Sequence, residues 1–187
     1  MEVVSGRYNP FQLEENVSLF WDKNRIFKKL VEVRKGEPLF RFLEGPPTAN
    51  GFMHVGHARG RTMKDVFLRF KTMQGYDVWR QAGWDCHGLP VELEVERKLG
   101  IKSKSEIGEK ISLPKFVAQC QDLVDFYIDH WRKASEKLGL WLNYDRAYET
   151  RDEDYIEFVW WTLKKAHEMG LLVEDFRVVP TCPRCET

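Results

Sequence analysis

The sequence predicts an α/β fold whose strands run parallel, and three observations carry that expectation. A short apolar run, Leu39-Phe40-Arg41-Phe42-Leu43, leads straight into Gly45-Pro46-Pro47-Thr48-Ala49-Asn50-Gly51, where turn formers exclude regular structure. Ala58, Thr62, Val66, Phe67, Phe70 and Met73 then recur at helical spacing. A second strand-like run, Tyr76-Asp77-Val78-Trp79, precedes a second turn-rich loop over residues 83–90. Strand, loop, helix, strand, loop is the opening of a βαβ unit, in which the strands pair in parallel.

The remaining elements follow in order. Residues 13–30 carry Val17, Phe20, Trp21 and Leu30 among charges, which predicts one helix with a single apolar side. Lys35-Gly36-Glu37-Pro38 ends it. The helix after the first loop starts near Val55 and stops by Gly75, and residues 91–99 form a short charged helix. A longer helix places Phe116, Cys120, Leu123, Val124, Tyr127, Trp131 and Leu138 on one face. A last one does the same with Tyr155, Ile156, Val159, Leu163 and Ala166. Thr150 is its expected N-cap, Asp152, Glu153 and Asp154 favour the positive end of its dipole, and Gly170 closes it. Neither an internal repeat nor a low-complexity segment interrupts this order.

Composition narrows the function classes. The 187 residues suit one globular domain or a domain with an extension, and 43% hydrophobic content supports a packed core. Lysine plus arginine equal aspartate plus glutamate at 29 each, which argues against a self-sufficient nucleic-acid binder. One edge of a larger nucleic-acid-binding protein stays open. Apolar runs are too short to cross a bilayer, and residues 1–12, with Glu2 and Asn9-Pro10, lack the core of a secretion signal. Four cysteines are too sparse for a secreted disulfide framework. A cytoplasmic chain with no membrane association is expected.

The first loop carries chemistry. His54, Gly56 and His57 stand between a predicted strand and a predicted helix, the place where open parallel sheets bind ligands. A helix start offers unpaired N–H groups and a positive partial charge to phosphate. Histidines three apart share a face at the first turn, and Gly56 lets a base or ribose approach the backbone. Paired imidazoles can donate to phosphate oxygens and stabilise charge building there. An isolated H-x-G-H is also compatible with helix-cap or core histidines.

The pattern P-x-T-x-N-G-x-x-H-x-G-H, from Pro46 to His57, resembles the signature of class I aminoacyl-tRNA synthetases. The second loop, Gly83-Trp84-Asp85-Cys86-His87-Gly88-Leu89-Pro90-Val91-Glu92, is most similar to the branch of that family specific for isoleucine, as is Glu44-Gly45-Pro46-Pro47-Thr48-Ala49-Asn50-Gly51. The resemblance runs from about Phe20 to the last residue. It implies that His54, Gly56 and His57 contact ATP, with His54 and His57 catalytic, and that Thr48 and Asn50 neighbour the nucleotide. It implies the first half of a Rossmann-type catalytic domain, in a chain of three parts. Residues 1–38 are an N-terminal helical extension, 39–176 the half-domain with helical elaboration, and 177–187 the start of a zinc-ribbon insertion.

The same resemblance implies the reaction. Isoleucine is joined to ATP, supplied with Mg2+, as isoleucyl-adenylate and then passed to tRNA(Ile), by an enzyme expected to be a monomer. A free amino acid presents an ammonium, for which a carboxylate at a strand end is the natural partner, and Asp85 is the candidate. The Pro46 ring is the expected apolar wall against an aliphatic side chain. For this very family one methylene is known to separate isoleucine from valine by only about 1–3 kcal/mol. The family adds a separate editing domain, for which this chain has no room. The lysine loop, the other strands and the anticodon-binding helices are also missing, so an amino-terminal part of the enzyme is expected.

Two further features lie outside the loops. Cys182-Pro183-Arg184-Cys185 has zinc-ribbon spacing, yet structural zinc takes four ligands and the sequence supplies no second pair. The resemblance makes Cys182 and Cys185 half of a zinc knuckle, while Cys86 and Cys120 read as packing or loop thiols. Ile101-Lys102-Ser103-Lys104-Ser105 imitates the family's Lys-Met-Ser-Lys-Ser loop but lies too early in the chain, and reads as a solvated basic turn. Two other functions compete. A small nucleotidylyltransferase shares H-x-G-H, but such proteins carry it near their start and lack the Gly-Trp-Asp-x-His-Gly-Leu-Pro loop. A zinc-ribbon or helical binding module is weakened by the half-complete cysteine set.

Overall fold

A computed structural model describes residues 8–183. Its elements are α1 (Pro10–Asn24), α2 (Ile26–Arg34), β1 (Leu39–Leu43), α3 (Val55–Met73), β2 (Asp77–Trp84), α4 (Leu89–Leu99), a 3-10 turn (Lys104–Glu106), α5 (Leu113–Lys137), β3 (Asn143–Glu149) and α6 (Glu153–Glu168). The strands form one sheet in the order β1-β2-β3. β1 and β2 are parallel, in register from Leu39 opposite Asp77 to Leu43 opposite Gln81. The expected βαβ unit is therefore present, with α3 as its crossover.

The chain divides into two compact units. The first comprises the described residues up to Leu43, Met53–Gln81 and Arg132–Asn143. A buried charge cluster organises it. The Asp65 carboxylate pairs with Arg69, accepts from the Trp141 amide at 3.2 Å and meets Arg80 at 3.4 Å. Arg80 also donates to the Trp141 carbonyl (3.0 Å) and to Thr72 Oγ1 (2.9 Å). Burial pushes the Arg80 guanidinium down to about 10, and Asp65 opposes that fall. The Arg69 guanidinium lies 3.8 Å from the Trp141 ring centroid, and Trp21 meets Trp141 edge-on at 4.9 Å. Here α1 comes to rest on the turn after α5, where Gly139 leaves space that a Cβ would take from Trp21.

The single helix expected over residues 13–30 is two. Arg25 adopts φ 52°, ψ 43°, and its amide returns to the carbonyls of Asp22 and Trp21, ending α1, while its own carbonyl receives Lys29 N–H at 3.0 Å to begin α2. A non-glycine residue in the left-handed region carries no compositional signal, so spacing alone misses the break.

The second unit comprises Glu44–Phe52, Ala82–Trp131 and the residues from 144 onward. Its core is Trp84 from β2, Val91 and Val95 from α4, and Phe116, Leu123, Val124, Tyr127 and Trp131 from α5. The α5 face is the one that spacing predicts. Trp131 Nε1 donates to the Gly51 carbonyl at 2.7 Å, which anchors the end of the first loop. β3 is unforeseen: Asn143, Asp145 and Arg146 give Asn-Tyr-Asp-Arg-Ala-Tyr-Glu little of a strand's usual composition. α6 ends at Gly170 (φ 69°) as expected, but none of its residues is buried, and Trp160 and Trp161 are 67% and 51% exposed.

Candidate functional site

In the first unit, His54 is the N-cap of α3. Its backbone is extended, and its Nδ1 accepts from Gly56 N–H (3.1 Å) and His57 N–H (3.4 Å). His57 Nδ1 in turn accepts from His54 N–H at 3.4 Å, so the two imidazoles close a reciprocal capping box. The rings stack with centroids 3.7 Å apart. Because each Nδ1 accepts an N–H, each neutral ring carries its proton on Nε2. His57 sits below the ordinary imidazole value of 6.5, mainly through desolvation, then through His54 and Arg61. At neutral pH it is an uncharged donor.

This refines two expectations. Two of the α3 amides offered to phosphate are already taken by the His54 ring, so an anion there meets imidazole N–H groups instead. The absent Gly56 side chain also makes room for that ring: a Cβ would lie 3.0 Å from His54 Cε1. Cap and function are compatible, since the cap uses Nδ1 of each ring.

In the second unit the two loops are zipped together. Ala49 N–H donates to the Asp85 carbonyl (2.9 Å) and Asp85 N–H to the Pro47 carbonyl (3.0 Å), giving a parallel bridge between Thr48 and Asp85. Asn50 Nδ2 reaches the Pro90 carbonyl at 3.2 Å, at the start of α4. Pro46 is half-buried beside exposed Gly45. The Asp85 carboxylate is half-buried, with Thr48 Oγ1 donating to Oδ2 at 2.8 Å and Thr150 Oγ1 to Oδ1 at 3.4 Å. Thr48, expected beside the nucleotide, here gives its hydroxyl to Asp85.

β3 and its turn supply what sequence reasoning missed. Thr150 does not cap α6. Asp152 holds that position and accepts from Glu149 N–H at 3.1 Å, while the Thr150 side chain is buried against the Asp85 loop. Tyr148 donates to the Glu44 carbonyl at 2.7 Å and stacks on Tyr155 at 5.7 Å. A Cβ on Gly83 would fall 2.2 Å from Tyr148 Cε1, so the glycine is what lets this ring lie across β2. Burial raises the Tyr148 hydroxyl, with Tyr155, Glu44 and Asp85 adding to it.

A cavity of about 400 Å³ adjoins the Asp85 loop, lined among others by Cys86, Val91, Phe116, Cys120 and Arg151. Burial, then Glu149, pushes the Cys86 thiol up to about 11; burial, then Glu92 and Glu96, raises Cys120. Cys86 is buried and Cys120 half-buried. Cys182 is exposed, and Cys185 lies outside the described residues. Among the described residues no group of three or more His, Cys, Asp or Glu is disposed to hold a metal, so those present do not make a closed zinc site. Nor is any described helix long and apolar enough to cross a membrane.

Comparison with known proteins adds a second kind of observation. The family described as tRNA synthetases class I (I, L, M and V) matches residues 16–187. The isoleucine–tRNA ligase of Pyrobaculum aerophilum is 53% identical over 181 residues, covering 96% of this chain and 18% of that protein. The isoleucine–tRNA ligase of Thermus thermophilus is 51% identical over 182 residues, covering 97% and 17%. Among solved structures, the ternary complex of Agrobacterium radiobacter K84 agnB2 LeuRS with tRNA and LeuAMS aligns with a TM-score of 0.61 at 25% identity, covering 88% of this chain and 18% of that one. The chain thus spans less than a fifth of the length of these relatives.

Proposed function

The chain belongs to the class I tRNA synthetases that serve isoleucine, leucine, methionine and valine, and from this we propose that it carries the ATP grip and part of the amino-acid pocket of an isoleucine–tRNA ligase. The reaction joins the isoleucine carboxylate to the α-phosphate of ATP with release of pyrophosphate, then passes the acyl group to tRNA(Ile). In this reading His54 and His57 donate through Nε2 to ATP oxygens and stabilise the charge that grows during attack. Mg2+ accompanies ATP as part of the substrate. Asp85 takes the isoleucine ammonium through a charge-assisted hydrogen bond, and Pro46 forms an apolar wall for the side chain. Asn50 and Gly56 shape the loops around the nucleotide.

The observation that carries the reading is the state of Asp85. A hydroxyl donates to each oxygen and fixes its direction, yet the carboxylate stays partly open and retains lone pairs for an ammonium. The intact ligase acts in the cytoplasm as a monomer, and its zinc, if Cys182 and Cys185 contribute to one, requires two further ligands. Family membership decides against the nucleotidylyltransferase alternative.

Isoleucine-dependent ATP–pyrophosphate exchange in the full-length ligase tests the proposal, with the His54→Ala, His57→Ala double variant beside it. We expect exchange to fall by at least about a hundredfold, the scale of losing one well-placed donor to a developing anion. Unaltered exchange in the double variant overturns the histidine assignment. Exchange that ignores isoleucine but responds to another amino acid overturns the substrate.

A further inference from the structure

We infer that Thr150 is a positioning residue for isoleucine, holding the Asp85 carboxylate in the direction in which it receives the ammonium; this rests on the reading of Asp85 just proposed. The placement is unusual in its concentration. Thr150 is 5% exposed, and all its polar groups are directed to four successive residues of the Asp85 loop. Its N–H donates to the Trp84 carbonyl at 3.1 Å. Its Oγ1 accepts from Cys86 N–H at 2.9 Å and turns its own proton to Asp85 Oδ1 at 3.4 Å. Its carbonyl receives His87 Nε2 at 3.0 Å.

One hydroxyl therefore links the backbone on one side of Asp85 to the carboxylate itself. Thr48 fixes Oδ2 from the first loop, so the two hydroxyls hold opposite oxygens of one carboxylate. With Thr150's hydroxyl removed, the Cys86 amide loses its acceptor and Asp85 keeps a single tether, about which the side chain is free to turn. A carboxylate so released still carries its charge but no longer points in one direction. The cost falls on capture of the ammonium, because every bond Thr150 makes here runs to residues 84–87.

The test is steady-state exchange in the full-length ligase with Thr150→Val, Thr150→Ser and Asp85→Asn. Thr150→Val keeps shape and removes the hydroxyl. The expected result is a KM for isoleucine raised about tenfold, with kcat and the KM for ATP within about twofold, the scale of one hydrogen bond to a charged group. Thr150→Ser restores the isoleucine KM, and Thr150→Val added to Asp85→Asn raises it no further. Thermal midpoints are recorded for every variant. If Asp85→Asn raises the isoleucine KM and folded Thr150→Val does not, the positioning role is overturned while Asp85 stands. If Thr150→Ser is as impaired as Thr150→Val, or Thr150→Val lowers kcat and both affinities alike, the hydroxyl acts on the fold and the inference fails. If Asp85→Asn leaves the isoleucine KM unchanged, the reading of Asp85 itself fails.

Discussion

His54 and His57 cap each other: each ring's Nδ1 accepts the backbone N–H of the other residue, at 3.4 Å in both directions. The pair is thus a helix start as well as the proposed pair of Nε2 donors, and the two roles separate by mutation. Asparagine is a strong N-cap, whereas alanine forfeits about 1 kcal/mol. His54→Ala is expected to lower stability by that amount in chemical denaturation, and His54→Asn to retain it. Both are expected to slow pyrophosphate exchange, because neither offers an imidazole donor.

His57 gives a pH dependence of defined sign. Desolvation, His54 and Arg61 hold it below 6.5, so the unfolded chain takes up this proton before the folded one. Stability from this residue is complete above pH 6.5 and is lost as pH falls through the folded value. An NMR titration of the His57 ring is expected to show a midpoint below 6.5; a midpoint at or above it contradicts the assignment.

Asp65 is the counter-charge for a buried guanidinium. Asp65→Ala leaves Arg80 buried and uncompensated, and removing one partner of such a pair costs about 3–5 kcal/mol. Asp65→Asn keeps an acceptor for the Trp141 amide and is expected to lose less. Urea unfolding of the three proteins, read by tryptophan fluorescence, ranks them.

The two thiols beside the cavity are expected to be slow nucleophiles. With Cys86 near 11 and Cys120 raised, the thiolate fraction at neutral pH is small. Iodoacetamide at pH 7 followed by peptide mass spectrometry is expected to modify both more slowly in the native protein than in urea. Rapid native labelling of Cys86 contradicts the burial described here.

Elements with strong periodicity were legible from residues alone. β1 occupies the apolar run, α3 begins at Val55, and α5 buries the face that Phe116, Leu123, Val124 and Trp131 mark out. The break at Arg25 escaped because a left-handed non-glycine residue leaves no compositional mark; elsewhere the deciding contact is distant in sequence. β3 is a strand because of its neighbours, against the preferences of Asn143 and Asp145. The acids that follow Thr150 suggest a cap, yet its hydroxyl is used by residues more than sixty positions earlier. Asp85 was recognisable as a carboxylate at a strand end; its two supporting hydroxyls were not.

The Tyr148 ring over Gly83 closes a route of sequence drift. Every single-base change that replaces a glycine adds at least a Cβ, and here that atom would lie 2.2 Å from a ring carbon of Tyr148. The ring is fixed by its bond to Glu44 and its stacking on Tyr155, so it yields no space. Positions 83 and 148 can therefore change only in one order, the tyrosine shrinking before the glycine grows.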